Sequence, residues 1–136
     1  MVLGRRLTVA ESKKTVIICD DEPDVLLSFE LQLKSKYHVI LTSSGEECIE
    51  KYIEETSRGN KISLIILDYK LGGMWGDAVA HKIKEYTGTK IILNSAFDVN
   101  QSLVTELESG NYISKYVRKP VENEFLTELV AEAIRN

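Results

Sequence analysis

Two unbroken apolar runs, Val16-Ile17-Ile18-Cys19 and Leu64-Ile65-Ile66-Leu67, each stop on a carboxylate. A strand with one wet face alternates apolar and polar residues, so runs without polar breaks predict strands covered on both faces. Asp20-Asp21-Glu22-Pro23 follows the first run. Asp68 and the loop Tyr69-Lys70-Leu71-Gly72-Gly73-Met74-Trp75-Gly76 follow the second. If the two strands are neighbours, at least three acids meet at one edge of the sheet. Two carboxylates ~4 Å apart repel by roughly 4 kcal/mol at an effective dielectric near 20. A divalent cation relieves that repulsion, so the pattern points to a metal site that includes a potential carboxylate nucleophile.

The rest of the chain alternates in the same way. Residues 16–19, 37–41, 62–67, 91–93 and 116–117 read as short strands. Helical patterns fill the gaps. The first covers 24–36, with Val25, Leu26, Phe29, Leu31 and Leu33 as its apolar positions. The second covers 45–56, with Cys48, Ile49, Tyr52 and Ile53 on one face and Ser43 or Ser44 as N-cap. The third covers 77–86 through Ala78, Val79, Ala80 and Ile83, and the fourth covers 100–109 with Gly110 as a C′ residue. The last runs from 123 to the C-terminus, with Phe125, Leu126, Leu129, Val130 and Ile134 inward. Five strands alternating with five helices predict an α/β fold with a parallel sheet wrapped on both faces. Residues 1–14 lack periodicity and read as a mobile arm, leaving 15–136 as one domain with room for a core.

Composition narrows the function classes. The net charge is −4 with no basic stripe, which argues against direct binding of nucleic acid. No apolar run approaches the ~20 residues of a membrane helix, and the first is too short for a secretion signal. The two cysteines, Cys19 and Cys48, read as free thiols serving as small hydrophobes, which implies a reducing, cytoplasmic setting.

In parallel sheets of this kind ligands bind beyond the carboxyl ends of the strands. The polar residues there are Asp20 and Asp21 after the first strand, Asp68 after the third, Ser95 after the fourth and Lys119 after the fifth. The second strand ends in uncharged Thr42-Ser43-Ser44. Each has an ordinary alternative when taken alone. Asp20 to Pro23 suits the first turn of a helix, Ser95 a turn, and Lys119 a solvated surface. Asp68 is harder to dismiss, because Asp is depleted in strands. Together the carboxylates, hydroxyl and ammonium make a phosphoryl-transfer site: an Asp nucleophile, a Mg²⁺ ion, and Lys119 and Ser95 for the transferring oxygens.

These motifs resemble the receiver domain of two-component response regulators, over essentially all of 15–136. The matching pieces are Asp20-Asp21, Asp68 with its Leu71 to Gly76 loop, Ser95-Ala96, and Tyr116-Val117-Arg118-Lys119-Pro120. The resemblance implies a flavodoxin-like (βα)5 three-layer sandwich with strand order 2-1-3-4-5. It implies that Asp68 accepts a phosphoryl group from a histidine of a sensor kinase or phosphotransfer protein. Mg²⁺, or Mn²⁺, would be held by Asp20, Asp21, Asp68 and the backbone carbonyl of Lys70. Lys119, Ser95 and the backbone N–H of Ala96 would bind the phosphoryl oxygens. Ser95 and Tyr116 would form the switch, and the Lys119–Pro120 peptide bond would be cis. Such a protein is a switch rather than an enzyme, its only catalysis being its own phosphorylation and dephosphorylation. Ending at its fifth helix, the chain reads as a stand-alone receiver that signals through its fourth helix, fifth strand and fifth helix, with no membrane role.

Three features depart from the family pattern. Gly72 stands where Pro is common, the segment 110–119 is about two residues longer, and Val121 replaces a frequent Phe. Three rival functions use the same fold or chemistry. A pseudo-receiver would be a constitutive interaction module, which the retained motif residues oppose. A phosphohydrolase would need a nucleophile–acid pair two apart, for which Asp20 and Glu22 are a poor match. A nucleotide- or flavin-binding protein would want a glycine loop where Asp20-Asp21-Glu22-Pro23 stands. Lys70 and Phe97 read as flanking the site, Trp75 as a loop anchor more than a partner contact, and His38 and His81 as unconnected to metal.

Overall fold

The protein is described by a computed structural model covering residues 13–86, 88–96 and 99–135. Its strands are β1 (Thr15–Cys19), β2 (His38–Thr42), β3 (Ile62–Asp68), β4 (Lys90–Ser95) and β5 (Lys115–Arg118). Its helices are α1 (Pro23–Leu33), α2 (Gly45–Ser57), α3 (Gly76–Lys84), α4 (Gln101–Ser109) and α5 (Asn123–Arg135). The strands form one five-stranded sheet in the order β2-β1-β3-β4-β5, with every pair parallel. This is the flavodoxin-like topology, and its central strands β1 and β3 are the two apolar runs.

The two-residue period of a strand sends alternate side chains to opposite layers. Ile17, Cys19, Ile65, Leu67, Ile91 and Leu93 pack with Cys48 and Tyr52 of α2, Val79, Ala80 and Ile83 of α3, and Leu107 of α4. Val16, Ile18, Leu64, Ile66, Ile92 and Val117 pack with Phe29 and Leu33 of α1 and Leu126, Leu129 and Val130 of α5. Three layers result. Continuing the period past the apolar residues assigns Asp20 and Asp68 to the layer shared with α1 and α5.

The differences from the sequence expectations are local. β4 and β5 extend beyond 91–93 and 116–117, because main-chain pairing continues through polar residues: Asp68 registers with Asn94 and Ser95 with Arg118. α1 stops at Leu33 rather than 36, and α3 at Lys84 rather than 86. Of the apolar positions that mark these helices in the sequence, Leu31, Ile53, Ala78 and Phe125 are exposed, Phe125 against the expectation that it faces inward, since a helix lying on a sheet buries only a narrow stripe. Of the two candidate serines, Ser44 is the N-cap of α2, accepting from the Glu47 N–H at 3.1 Å.

Gly110 is the C-cap of α4 at φ −84°, not the C′ residue. The left-handed position falls to Asn111 at φ 61°. Asn111 N–H donates to the Glu108 carbonyl and Tyr112 N–H to that of Leu107, the paired closure of a Schellman turn. The proposed arm falls almost wholly outside the described residues; Lys13 and Lys14 are exposed. Among the described residues no helix is long and apolar enough to cross a membrane.

Candidate functional site

β1 and β3 are neighbours, so their terminal acids converge. Asp20, Asp21 and Asp68 can each offer a carboxylate oxygen, all within 4.8 Å of one another. Asp20 and Asp68 are buried, whereas Asp21 is exposed. Lys119, delivered by the loop after β5, donates from Nζ to Asp20 Oδ2 at 2.7 Å. The same ammonium stands 3.5 Å from Asp68 Oδ2 and 3.8 Å from Glu22 Oε1.

Asp20 is held from both sides. Its Oδ1 accepts from the Glu22 backbone N–H at 2.9 Å, in the turn that starts α1, while Pro23 presets the first helical residue. Its own N–H donates to the Thr42 carbonyl at 3.1 Å.

One ammonium does not balance the buried acids. Desolvation, with help from the neighbouring Asp20 charge, pushes the Asp68 carboxyl up to about 6, even with Lys119 pulling the other way. Burial alone would lower Lys119. The hydrogen bond to Asp20 and the charges of Asp20, Asp68 and Glu22 outweigh it and leave the ammonium above its ordinary value. A close set of carboxylate oxygens that repel one another in a partly dry site suits a hard divalent cation such as Mg²⁺ or Mn²⁺.

The loop after β3 is pinned beside these acids. Tyr69 N–H donates to the Asn94 carbonyl at 2.9 Å, Gly76 N–H to the Tyr69 carbonyl at 2.6 Å, and an antiparallel bridge joins Lys70 to Trp75. Gly76 has a steric reason: a Cβ there would lie 2.6 Å from the Asp68 carbonyl oxygen. A cavity of about 350 Å³ opens over the acids, lined by Asp21, Glu22, Asp68, Lys70, Trp75, Ala96 and Lys119 among others. Trp75 is 52% exposed and packs against Tyr69 with ring centroids 5.2 Å apart.

The remaining sequence-selected residues occupy the neighbouring strand ends. Ser95 is the buried last residue of β4, and its carbonyl accepts from Lys119 N–H at 2.7 Å. The Lys119–Pro120 peptide bond is cis. Tyr116 is half-buried on β5, with its hydroxyl 3.5 Å from Val99 N. Phe97 lies outside the described residues. His81 stacks on Tyr112 at 4.0 Å and His38 is exposed on β2; neither belongs to the acidic group. Cys19 and Cys48 are buried free thiols, and contact with Cys19, reinforced by burial, pushes the Cys48 thiol up.

Two participants escaped the sequence reading. Glu22 enters the sequence reading only within the acidic cluster and as a poorly matched partner of Asp20, yet its carboxylate reaches toward Lys119. Asn94 was overlooked. It registers with Asp68, is 2% exposed, and its Oδ1 has no hydrogen-bond partner. The available signal was an amide directly after the apolar run Ile91-Ile92-Leu93, where strands rarely carry one.

The comparisons agree with this geometry. A family model described as the response regulator receiver domain matches residues 16–131. The transcriptional regulatory protein AfsQ1 of Streptomyces coelicolor is 29% identical over 122 residues, which are 89% of this chain and 51% of that protein. Transcriptional regulatory protein KdpE of Mycobacterium tuberculosis is 30% identical over 123 residues, 89% of this chain and 51% of that one. The chain thus spans about half the length of these relatives. A CheY-like receiver domain protein from Methanospirillum hungatei superposes with a TM-score of 0.79 at 25% identity, covering 91% of this chain and 95% of its own. A two-component response regulator from Clostridium difficile gives a TM-score of 0.77 at 25% identity, covering 91% of this chain and 98% of its own. An acid trio and lysine at the head of a 2-1-3-4-5 parallel sheet, with a family match across nearly the whole fold, lead to one conclusion: this chain belongs to the response regulator receiver domain family of two-component systems.

Proposed function

We propose that Asp68 is the phosphoacceptor, taking a phosphoryl group from a phosphohistidine of a sensor kinase or phosphotransfer protein. The observation that carries this reading is Lys119 Nζ, 2.7 Å from Asp20 and 3.5 Å from Asp68 beside a third carboxylate. An ammonium and a cation pocket on either side of one buried carboxylate are what an incoming dianion needs.

Asp20, Asp21, Asp68 and the backbone carbonyl of Lys70 would hold Mg²⁺. When bound, the ion supplies charge neutralisation for the acids and the incoming phosphoryl oxygens. The Asp68 carboxylate attacks phosphorus, Lys119 pairs with an equatorial oxygen, and the Ser95 hydroxyl and Ala96 N–H take the others. The phosphoryl group adds a charge of about −1.5 to −2 where one ammonium already serves several acids. Ser95 and Tyr116 relay that change to a partner-binding face of α4, β5 and α5. The relatives' length makes attachment to an output module as open to this fold as free-standing action.

The decisive test is incubation with Mg²⁺ and a small phosphodonor. The expected result is a mass gain of one phosphate, base-labile, and lost in Asp68→Asn. No gain with any donor or kinase would favour the constitutive interaction module instead, and multiple turnover on unrelated phosphate esters would favour a phosphohydrolase.

A further inference from the structure

Trp75 breaks two local rules at once. It is the N-cap of α3, where Ser, Thr, Asp or Asn would accept a backbone N–H, and it makes no side-chain cap bond. It also leaves half of a large indole in water. The other helix starts show what the chain does elsewhere: Ser44 caps α2 and Asn100 caps α4, each accepting a backbone N–H. Glu22 of α1 and Trp75 of α3 make no such bond, and both line the cavity over Asp68. Departures from local consistency that gather at one cavity mark function rather than folding.

The indole is also held in place. Tyr69 backs one side at 5.2 Å, the bridge to Lys70 closes the loop, and Gly76 is pressed against the Asp68 carbonyl. A rigid, half-exposed aromatic at the rim is pre-organised to receive a ring.

The chemistry of the donor says which ring. In an in-line transfer the leaving group departs from the side of phosphorus opposite the attacking oxygen, which is the mouth of the cavity. As the Asp68 oxygen–phosphorus bond forms, the nitrogen–phosphorus bond of a protonated phosphoimidazole breaks. Its electron pair stays on the ring nitrogen, and neutral imidazole leaves. Until that moment the ring is a cation, and tryptophan offers the strongest cation–π face among the side chains. An acyl phosphate, whose leaving group is an anionic carboxylate, gains nothing from such a face.

The geometry points to Trp75 as a specificity residue that receives the cationic imidazole ring of the phosphodonor and so favours phosphohistidine over acyl phosphates. This inference rests on Asp68 being the phosphoacceptor.

Rates of phosphorylation by N-phosphoimidazole and by acetyl phosphate, followed by intact mass with Mg²⁺, test it in the parent chain, Trp75→Ser and Trp75→Phe. Trp75→Ser supplies the missing cap, so a loss of rate does not reflect a lost helix. It is expected to slow transfer from phosphoimidazole about three- to tenfold. Its rate with acetyl phosphate should stay within about twofold, and Trp75→Phe should recover most of the loss. Equal slowing with both donors, or no slowing with either, overturns the specificity role. A parent chain that neither donor phosphorylates overturns the phosphoacceptor reading itself.

Discussion

The two ends of the sheet carry opposite charge for opposite reasons. At the carboxyl end Asp20 and Asp68 are buried against each other, with Lys119 between them. At the amino end a larger cavity, about 590 Å³, is lined by Lys14, Lys61, Lys90 and Arg135 and, among the described residues, by no carboxylate. The basic end has an ordinary explanation. Helices that follow parallel strands bring their C-termini there, and cations complement the partial negative charge of the last carbonyls. Lys90 does so directly, its Nζ donating to the Ala133 carbonyl of α5 at 2.8 Å. At the acidic end the helix N-termini offer the converse help, as where Asp20 accepts the Glu22 N–H at the start of α1, but like charges are concentrated there where burial makes them costly. Cavity size points to the basic end, whereas unrelieved electrostatic cost points to the acidic one.

Substitutions can break or sharpen this contrast. Lys119→Met removes the ammonium and strands two buried carboxylates, so denaturant melts without metal should show a loss of about 3 kcal/mol. Phosphorylation should fall below detection with it. The pH dependence comes next. With its carboxyl near 6 in the fold against 3.8 unfolded, Asp68 binds its proton more tightly when native. Its contribution therefore favours folding at acid pH and is lost as pH rises from about 4 through 6. The cost at pH 7 is on the order of 3 kcal/mol. Melts of Asp68→Asn without metal should be flatter across that window, and added Mg²⁺ should restore the parent's stability at pH 7.

A smaller effect is expected beside it. Asn94→Val replaces a buried amide that has an unpaired oxygen with a good strand former, and should stabilise by about 1 kcal/mol. A drop in phosphorylation rate in the same variant would place the amide in the site's working machinery. At the amino end, Lys61→Ala should shift stability by less than about 0.5 kcal/mol and leave phosphorylation unchanged. A large effect of Lys61→Ala on phosphorylation would dissolve the distinction between the two ends.

What the sequence reveals and what it hides divides along physical lines. Unbroken runs such as Leu64 to Leu67 carry both burial and strand type, so the central strands and the acids that end them are readable from pattern alone. Lys119 is readable only through its place after a strand, since nothing in its neighbours announces a lysine that is 12% exposed in the side chain. Helix faces are less legible. Leu31 and Phe125 look like core residues but lie outside the stripe that touches the sheet, a tertiary outcome with no local signature. Asn111, not Gly110, takes the left-handed turn, because Asn tolerates that conformation and the closing hydrogen bonds decide the position. Asn94 hides behind the apolar residues before it.

The lysine already seated on Asp20 has a consequence for anything that enters the trio. An arriving cation competes for an oxygen that Nζ holds at 2.7 Å, so each weakens the grip of the other. A metal held by the trio would loosen the lysine's hold on Asp20 and leave its ammonium available to an anion. On the proposed reading, the resting ion pair would act as a spring catch, holding the lysine on Asp20 until a metal displaced it toward an incoming phosphoryl group.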